Sequence, residues 1–99
     1  MIVLAPSIRL PAENLPAARP VFARMVEASR AEEGCIAYSF AEDVLEPGLI
    51  RIFEIFRDAE ALKLHGASAH MQEWRAAWPA LGIGDLQMQR FEASPLIEG

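Results

Sequence analysis

Two histidines, His65 and His70, are the side chains in this sequence best suited to proton transfer. Histidine is the residue type whose ordinary pKa lies nearest physiological pH, and it is the most common general base in enzymes. The spacing places one at the end of a short helix and the other in the first turn of the next, where an imidazole can reach a pocket. We predict that at least one is catalytic, the alternative being that they cap helix ends or pack partly buried.

A metal site is the sharper alternative for these histidines. It would need a carboxylate as a further ligand, for which Glu54 and Glu73 are candidates. However, the predicted position of His70 near a helix N-terminus disfavours a nearby cation, because the positive end of the helix dipole lies there. A single cysteine also excludes a cysteine-based zinc site. We therefore predict no metal.

Glu54 lies in an otherwise apolar segment. A buried carboxylate must be paired or must have a raised pKa, and we favour an ion pair with Arg9, Arg51 or Arg90 over a catalytic role.

Tyr38 shares one face of its segment with Phe40, where the two rings form either a flat aromatic pocket or part of the core. Three large apolar side chains recur at helical spacing, which is more typical of core packing than of a binding site. They are Met71, Trp74 and Trp78.

The elements that must position these residues alternate along the chain. Period-two hydrophobicity predicts strands over 1–10, 35–42, 49–57 and 86–93. Helices fill the gaps, with Asp58 and Ser68 as predicted N-caps and with Pro79 forcing Trp78 out of helical geometry. The order β-α-β-β-α-β predicts one α+β domain over 1–99, a ferredoxin-like fold with a four-stranded antiparallel sheet.

The third predicted strand is apolar on both faces, with Ile50, Ile52 and Phe56 on one and Leu49, Phe53 and Ile55 on the other. A strand of this kind needs a layer on each side. The two helical segments can cover one face, and the simplest cover for the other is a second copy of the same sheet. The pattern therefore predicts a homodimer.

Composition narrows the function classes. The formal charge is −5, and there is no cluster of Lys and Arg, which argues against nucleic-acid binding. The apolar runs fall far short of the ~20 residues that span a bilayer, so we predict no membrane association. One cysteine, Cys35, excludes an intramolecular disulfide and is consistent with the cytoplasm, where we expect the protein.

Three segments carry a resemblance to a known family. Residues 33–38, EGCIAY, are similar to an E-G-C-x-x-Y segment, and residues 51–56, RIFEIF, to a strand that commonly ends in E-x-W. Residues 58–74 resemble D-x-x-A-L-x-x-H-x-x-S-x-H followed by an aromatic-bearing helix. The chain thus resembles the antibiotic biosynthesis monooxygenase (ABM) family, although Phe56 replaces the usual tryptophan.

The resemblance implies a dimeric α/β barrel with a pocket between the sheet and helices of each subunit. Some members oxidise polycyclic phenols or quinols with O2 and no bound cofactor, a base removing the phenolic proton before an electron passes to O2. The resemblance therefore implies an aromatic or quinol-like substrate and O2 as the partners, with His65 or His70 as the base. The residues expected to contact the substrate are Tyr38, Phe40, Glu54, Phe56, Met71 and Trp74. The alternatives are a small-molecule isomerase and a non-catalytic ligand-binding dimer.

Overall fold

A computed structural model describes residues 1–95 and residue 97. Its strands are β1 (Ile2–Leu4), β2 (Ser7–Arg9), β3 (Cys35–Glu42), β4 (Leu49–Phe56), β5 (Gly84–Gln87) and β6 (Arg90–Glu92). Its helices are α1 (Leu15–Arg30), α2 (Ala59–Gly66) and α3 (Ala69–Leu81), with a short 3-10 turn at Ala12–Asn14. The predicted α+β class is confirmed.

All strands pair antiparallel around β4, which lies near the centre of the sheet. β3 pairs with β4 along its length, while β1 and β2 pair with the two ends of β4. β6 and β5 in turn pair with β1 and β2. The six strands therefore occupy four positions across the sheet, in the order expected of a ferredoxin-like fold.

The prediction of four strands needs correction, because the first and last predicted strands are each divided in two. Pro6 has no N–H for the ladder and separates β1 from β2, although its carbonyl still accepts a hydrogen bond from Ile52 N at 2.8 Å. The neighbouring strand divides at the same level, where Ala5 N donates to Gln89 O at 2.9 Å. The predicted tail, 94–99, lies partly outside the described residues.

The helix boundaries follow their capping residues. The Asp58 carboxylate accepts a hydrogen bond from Ala61 N, and the Ser68 hydroxyl accepts one from Met71 N, so both predicted N-caps are confirmed. The expectation that Pro79 removes Trp78 from the helix is wrong, since α3 continues through both to Leu81. Gly82, with a φ of 68°, ends the helix in the left-handed conformation.

The core lies between one face of the sheet and the helices. Ile8, Ile50 and Phe56 are completely buried there, and each contributes roughly 1.5–3 kcal/mol through the hydrophobic effect. None of the helices in the described part of the chain is long and apolar enough to cross a membrane.

The other face of the sheet is uncovered in the single chain. One row of paired residues crosses it, formed by Phe91, Val3, Ile55 and Ala37. Phe53, on the same face, is 44% exposed. The prediction that a second copy covers this face is not tested by the single chain and stays a prediction.

Candidate functional site

A cavity of about 80 Å³ lies between the inner face of the sheet and α3. Tyr38 and Glu54 line it from the sheet, and Met71 and Trp74 line it from the helix. Since the other lining groups are mostly apolar, the Glu54 carboxyl is the acid–base group that a ligand in this cavity would meet. Arg75 adds a cation to the lining.

Glu54 is buried, with the residue 6% exposed. Burial, with a smaller contribution from the negative charge of Glu32, raises the pKa of Glu54 from 4.5 to about 7. The predicted ion pair with an arginine is not formed: Arg9 pairs with Glu46 and Asp85, and Arg51 pairs with Asp43. Arg90 lies two strands away from Glu54, since Leu4 of the intervening strand β1 pairs with both residues.

The titratable side chain that faces Glu54 is His65. Its Nε2 lies 3.7 Å from Oε1 of Glu54, and the residue is only 1% exposed. The imidazole packs against Phe56 and Tyr38, with ring centroids 4.8 Å and 5.3 Å away. Nε2 has no hydrogen-bond partner within 3.5 Å among the described residues. A small movement of either side chain would therefore form a hydrogen bond between them.

The other nitrogen of His65 contacts Glu32. Nδ1 lies 2.7 Å from Oε2 of Glu32, and Nε2 of His70 lies 2.6 Å from the same oxygen. An ionised carboxylate accepts hydrogen bonds but cannot donate them, so with Glu32 ionised both ring nitrogens would be the donors. The Glu32 side chain is 18% exposed.

Local sequence features hold His65 in this position. It lies in the last turn of α2, where its backbone carbonyl accepts a hydrogen bond from the Ser68 hydroxyl at 2.7 Å. The turn that carries Glu32 approaches the same helix closely at Gly34, where an added Cβ would overlap the Ala61 methyl. The glycine therefore permits the approach of α2 that brings the imidazole to the carboxylate.

The arrangement can exchange a proton between the cavity and a buried imidazole. With Nδ1 protonated, a neutral His65 presents an Nε2 lone pair toward Glu54. Because the pKa of Glu54 is about 7, its carboxyl accepts or releases a proton near neutral pH. The pair is thus suited to general acid–base catalysis.

A divalent ion bound by Glu32, His65 and His70 would need these side chains to move apart. The ligand atoms of Glu32, His65 and His70 lie within 4.8 Å of one another. Their separations of 2.6 and 2.7 Å are hydrogen-bond distances, whereas two ligands of a tetrahedral zinc are about 3.3 Å apart. The sequence-based candidates for the carboxylate were Glu54 and Glu73, and the structure brings Glu32 there instead. The absence of a metal stays a prediction.

Comparison with known proteins agrees with the fold and the motifs. The sequence model of the family described as "Antibiotic biosynthesis monooxygenase" matches residues 1–77, more than three quarters of the chain. The chain belongs to the ABM family. The resemblance that the sequence motifs indicated is therefore confirmed.

Individual relatives cover this ABM protein to different extents. It is 33% identical over 94 residues to "Putative monooxygenase YcnE" of Bacillus subtilis, a match that covers 95% of this chain and 99% of that protein. It is 39% identical over 56 residues to the uncharacterized protein sll1783 of Synechocystis, a match that covers 57% of this chain but only 38% of that protein.

Solved structures of similar proteins share its architecture. A "putative antibiotic biosynthesis monooxygenase" from Deinococcus radiodurans superposes with a TM-score of 0.90 at 26% identity, covering 99% of this chain and 97% of the other. Rv0793 from Mycobacterium tuberculosis superposes with a TM-score of 0.79 at 27% identity, covering 99% and 98%.

The structure brings together some of the site residues predicted for this ABM protein and separates others. Four of the six predicted substrate contacts line the cavity, namely Tyr38, Glu54, Met71 and Trp74. Phe40 instead packs on the rings of Phe22 and Trp74, and Phe56 packs on His65.

The two histidines predicted to be catalytic occupy different environments in this ABM protein. His65 is buried behind Glu54, whereas His70 has a side chain that is 22% exposed. His70 lines a separate groove of about 330 Å³ between α1 and α3. Only His65 is therefore adjacent to the cavity beside Glu54.

Sequence reasoning missed two features of the site. Glu32 was not singled out, and no local signal marks it, because its contact with His65 spans 33 positions. Trp78 was assigned to the core, yet it lines the cavity, and its buried Nε1 has no partner among the described residues. An unpaired indole N–H beside a cavity is a donor available to a polar ligand.

Proposed function

We propose that this ABM protein is a cofactor-independent monooxygenase that oxidises an aromatic, phenolic or quinol-like small molecule with O2. The observation that supports this most is the buried Glu54 carboxyl, with a pKa of about 7, in an aromatic-lined cavity beside His65. Such a group can take a phenolic proton near neutral pH, and proton removal makes an aromatic ring a much better electron donor to O2.

The base in this proposal is the Glu54–His65 pair. Sequence reasoning favoured a histidine alone, but His65 is buried and only Glu54 lines the cavity. The substrate proton therefore passes first to the Glu54 carboxylate. The Nε2 lone pair of His65 then shares it, which keeps the proton available for a later step.

The reaction balances with O2 as the sole oxidant. After loss of the phenolic proton, the substrate anion gives one electron to O2, and the resulting radical and superoxide combine to form a C–O bond at a ring carbon that bears a hydrogen. The proton held by Glu54 and His65 returns to the peroxide. The O–O bond then breaks, the carbon loses its hydrogen to become a carbonyl, and water leaves.

The cavity must widen to hold a ring. Its volume of about 80 Å³ is roughly half of the 150 Å³ of an engineered cavity that binds benzene. Met71 and Met88 both line it, and methionine is the most adaptable apolar side chain. We propose that these two side chains move when the substrate enters.

We further propose that the protein works as a homodimer through the uncovered face of the sheet. The apolar row of Phe91, Val3, Ile55 and Ala37, with Phe53 beside it, supports this proposal. A second copy of the same face would bury these side chains against one another.

Oxygen uptake with a panel of naphthohydroquinones and anthrones tests the proposed activity. The assay contains EDTA and no added flavin or nicotinamide, and Glu54→Gln protein corrects for spontaneous oxidation. For anthrones we expect one O2 consumed per quinone formed and no released peroxide. Uptake no faster than that of the variant would contradict the proposal.

The same acid–base pair would also suit an isomerase, because Glu54 lines the cavity and His65 lies directly behind it, so the pair could take a proton and return it. Turnover of a substrate without O2 would favour that second candidate. Thermal stabilisation by a ligand that is never converted would instead favour a non-catalytic binding dimer.

A further inference from the structure

Glu32 is the residue on which the two histidines converge. It follows α1, at the turn before β3, and its Oε2 lies within hydrogen-bond distance of Nδ1 of His65 on α2 and of Nε2 of His70 on α3. The two imidazole rings themselves lie 5.9 Å apart. One carboxylate oxygen thus links three elements behind the cavity without contacting the cavity itself.

We propose that Glu32 is a positioning residue that holds His65 in the Nδ1–H tautomer, with its Nε2 lone pair directed toward Glu54, and that His70 anchors Glu32. This inference rests on the proposed function, since it assigns a role in the same proton transfer. It extends that function to a residue with no contact to the substrate.

The carboxylate has two physical effects on His65. It accepts the Nδ1–H, so a proton arriving from Glu54 has only Nε2 to bind. It also stabilises the imidazolium that results, because a negative charge then lies 2.7 Å from the cation. A buried carboxylate that orients a histidine in this way supports the Ser-His-Asp triads of hydrolases.

The polar groups that face His65 from the neighbouring described elements are consistent with this role. Glu54 approaches from β4, Tyr38 from β3 and His70 from α3. Burial and the charge of Glu54 hold the pKa of Tyr38 far above its ordinary value, so the phenol stays neutral and does not compete for the proton. Among the described residues, no arginine or lysine lies within 4 Å of Glu32, so the two imidazoles are its partners.

Replacement of Glu32 is tested against a matched neighbour. Glu32→Gln removes the charge while keeping the shape, and Glu33→Gln removes the same charge one residue away, from a side chain that is 95% exposed. We expect Glu32→Gln to lower kcat at least 10-fold. We also expect the midpoint at which kcat/KM rises with pH to move to lower pH, because the charge of Glu32 helps to raise the pKa of Glu54. We expect Glu33→Gln to stay within two-fold of wild type.

A second readout needs no substrate and therefore separates this inference from the proposed function. Nitrogen-15 NMR of the ligand-free protein at pH 8 should show His65 with Nδ1 protonated and Nε2 unprotonated, and Glu32→Gln should mix the two tautomers. If every quinol assay fails, the proposed monooxygenase activity is wrong, but the tautomer measured by NMR is unaffected. A wild-type His65 protonated at Nε2 would overturn the role of Glu32 even if turnover were found.

Two further outcomes would also overturn the inference. One is a Glu32→Gln protein with reduced kcat but an unchanged His65 tautomer, because Glu32 would then act by another route. The other is saturable Zn²⁺ binding at micromolar concentration that is lost in Glu32→Gln, which would make the cluster a metal site. We expect no saturable Zn²⁺ binding. If Glu32→Gln does not fold, the wild-type tautomer alone decides the proposal.

Discussion

Nε2 of His65 lies 3.7 Å from Oε1 of Glu54, and both side chains are buried beneath the helices of the α+β fold. A buried carboxyl without an arginine partner is costly to ionise, which is why the pKa of Glu54 is raised to about 7. Folding thus maintains a destabilising group at the cavity between the sheet and α3. Such strain at a site is typical of proton-transfer chemistry.

Replacement of Glu54 should separate activity from stability. Glu54→Gln has nearly the same shape but cannot accept the proton, so we expect a loss of turnover of about 100-fold or more. The variant should nevertheless unfold at a higher temperature than wild type at pH 8. Oxygen uptake and differential scanning calorimetry on the same preparations measure the two effects.

The stability difference should depend on pH in a defined direction. The pKa of Glu54 is higher in the folded state than its ordinary value of 4.5, so the folded protein binds more protons between pH 4.5 and about 7. Wild type therefore loses stability relative to Glu54→Gln as the pH rises through this window. We expect a gap of roughly 3 kcal/mol at pH 8 and none below pH 4. A wild type more stable than the variant at pH 8 would contradict the assignment.

The rate should rise with pH through about 7. Only the ionised form of Glu54 can take the substrate proton, and its pKa lies at about 7. The test is kcat/KM between pH 5 and 9, with a phenol whose own pKa lies above that range. Glu54→Asp, which keeps a carboxylate, should retain a rising profile. A flat profile, or a midpoint near 4.5, would rule out Glu54 as the first proton acceptor.

The close approach at Gly34 should be essential to the site. In Gly34→Ala the new methyl overlaps that of Ala61, so α2 moves away and carries His65 from Glu32. We expect a destabilisation of roughly 1–3 kcal/mol and reduced turnover. Chemical denaturation and oxygen uptake measure these changes.

A double variant and a control sharpen this prediction. Gly34→Ala with Ala61→Gly removes the overlap and should restore much of both losses. Gly66→Ala adds a Cβ where no atom lies within 4 Å, so it should not destabilise the protein. A double variant no better than Gly34→Ala would show that the overlap is not the cause.

The uncovered face of the sheet should mediate dimerisation. Light scattering at micromolar concentration should give twice the 10.9 kDa mass of the chain, and Phe53→Glu should give the monomer, because it buries a charge in the interface. Val44→Glu, at a loop residue that is 95% exposed, is the matched control and should stay dimeric. A wild-type monomer would contradict this part of the account.

Much of the fold could be predicted from the sequence because its signals are local. Alternating hydrophobicity located the strands, and Asp58 and Ser68 marked the helix starts through hydrogen bonds that span three residues. Proline was harder to interpret. Pro6 divided a strand as its missing N–H suggests, yet α3 continues through Pro79 to Leu81, which is buried in the core.

The candidate site was less predictable because it depends on contacts between distant segments. Periodicity assigned His65 to a helix end but did not indicate which carboxylate would reach it across the fold. The proposed pairing of Glu54 with Arg51 was avoidable: two strand residues three apart point to opposite faces of a sheet. Arg51 is exposed, whereas Glu54 is buried, as that rule requires.

Carbon-13 NMR of protein labelled at glutamate, with the signal assigned by Glu54→Gln, measures the pKa on which the proposed proton transfer depends. We expect a midpoint at about 7. A midpoint near 4.5, the ordinary value for glutamate, would mean that the carboxyl is solvated or paired and is not the proton acceptor of this cavity.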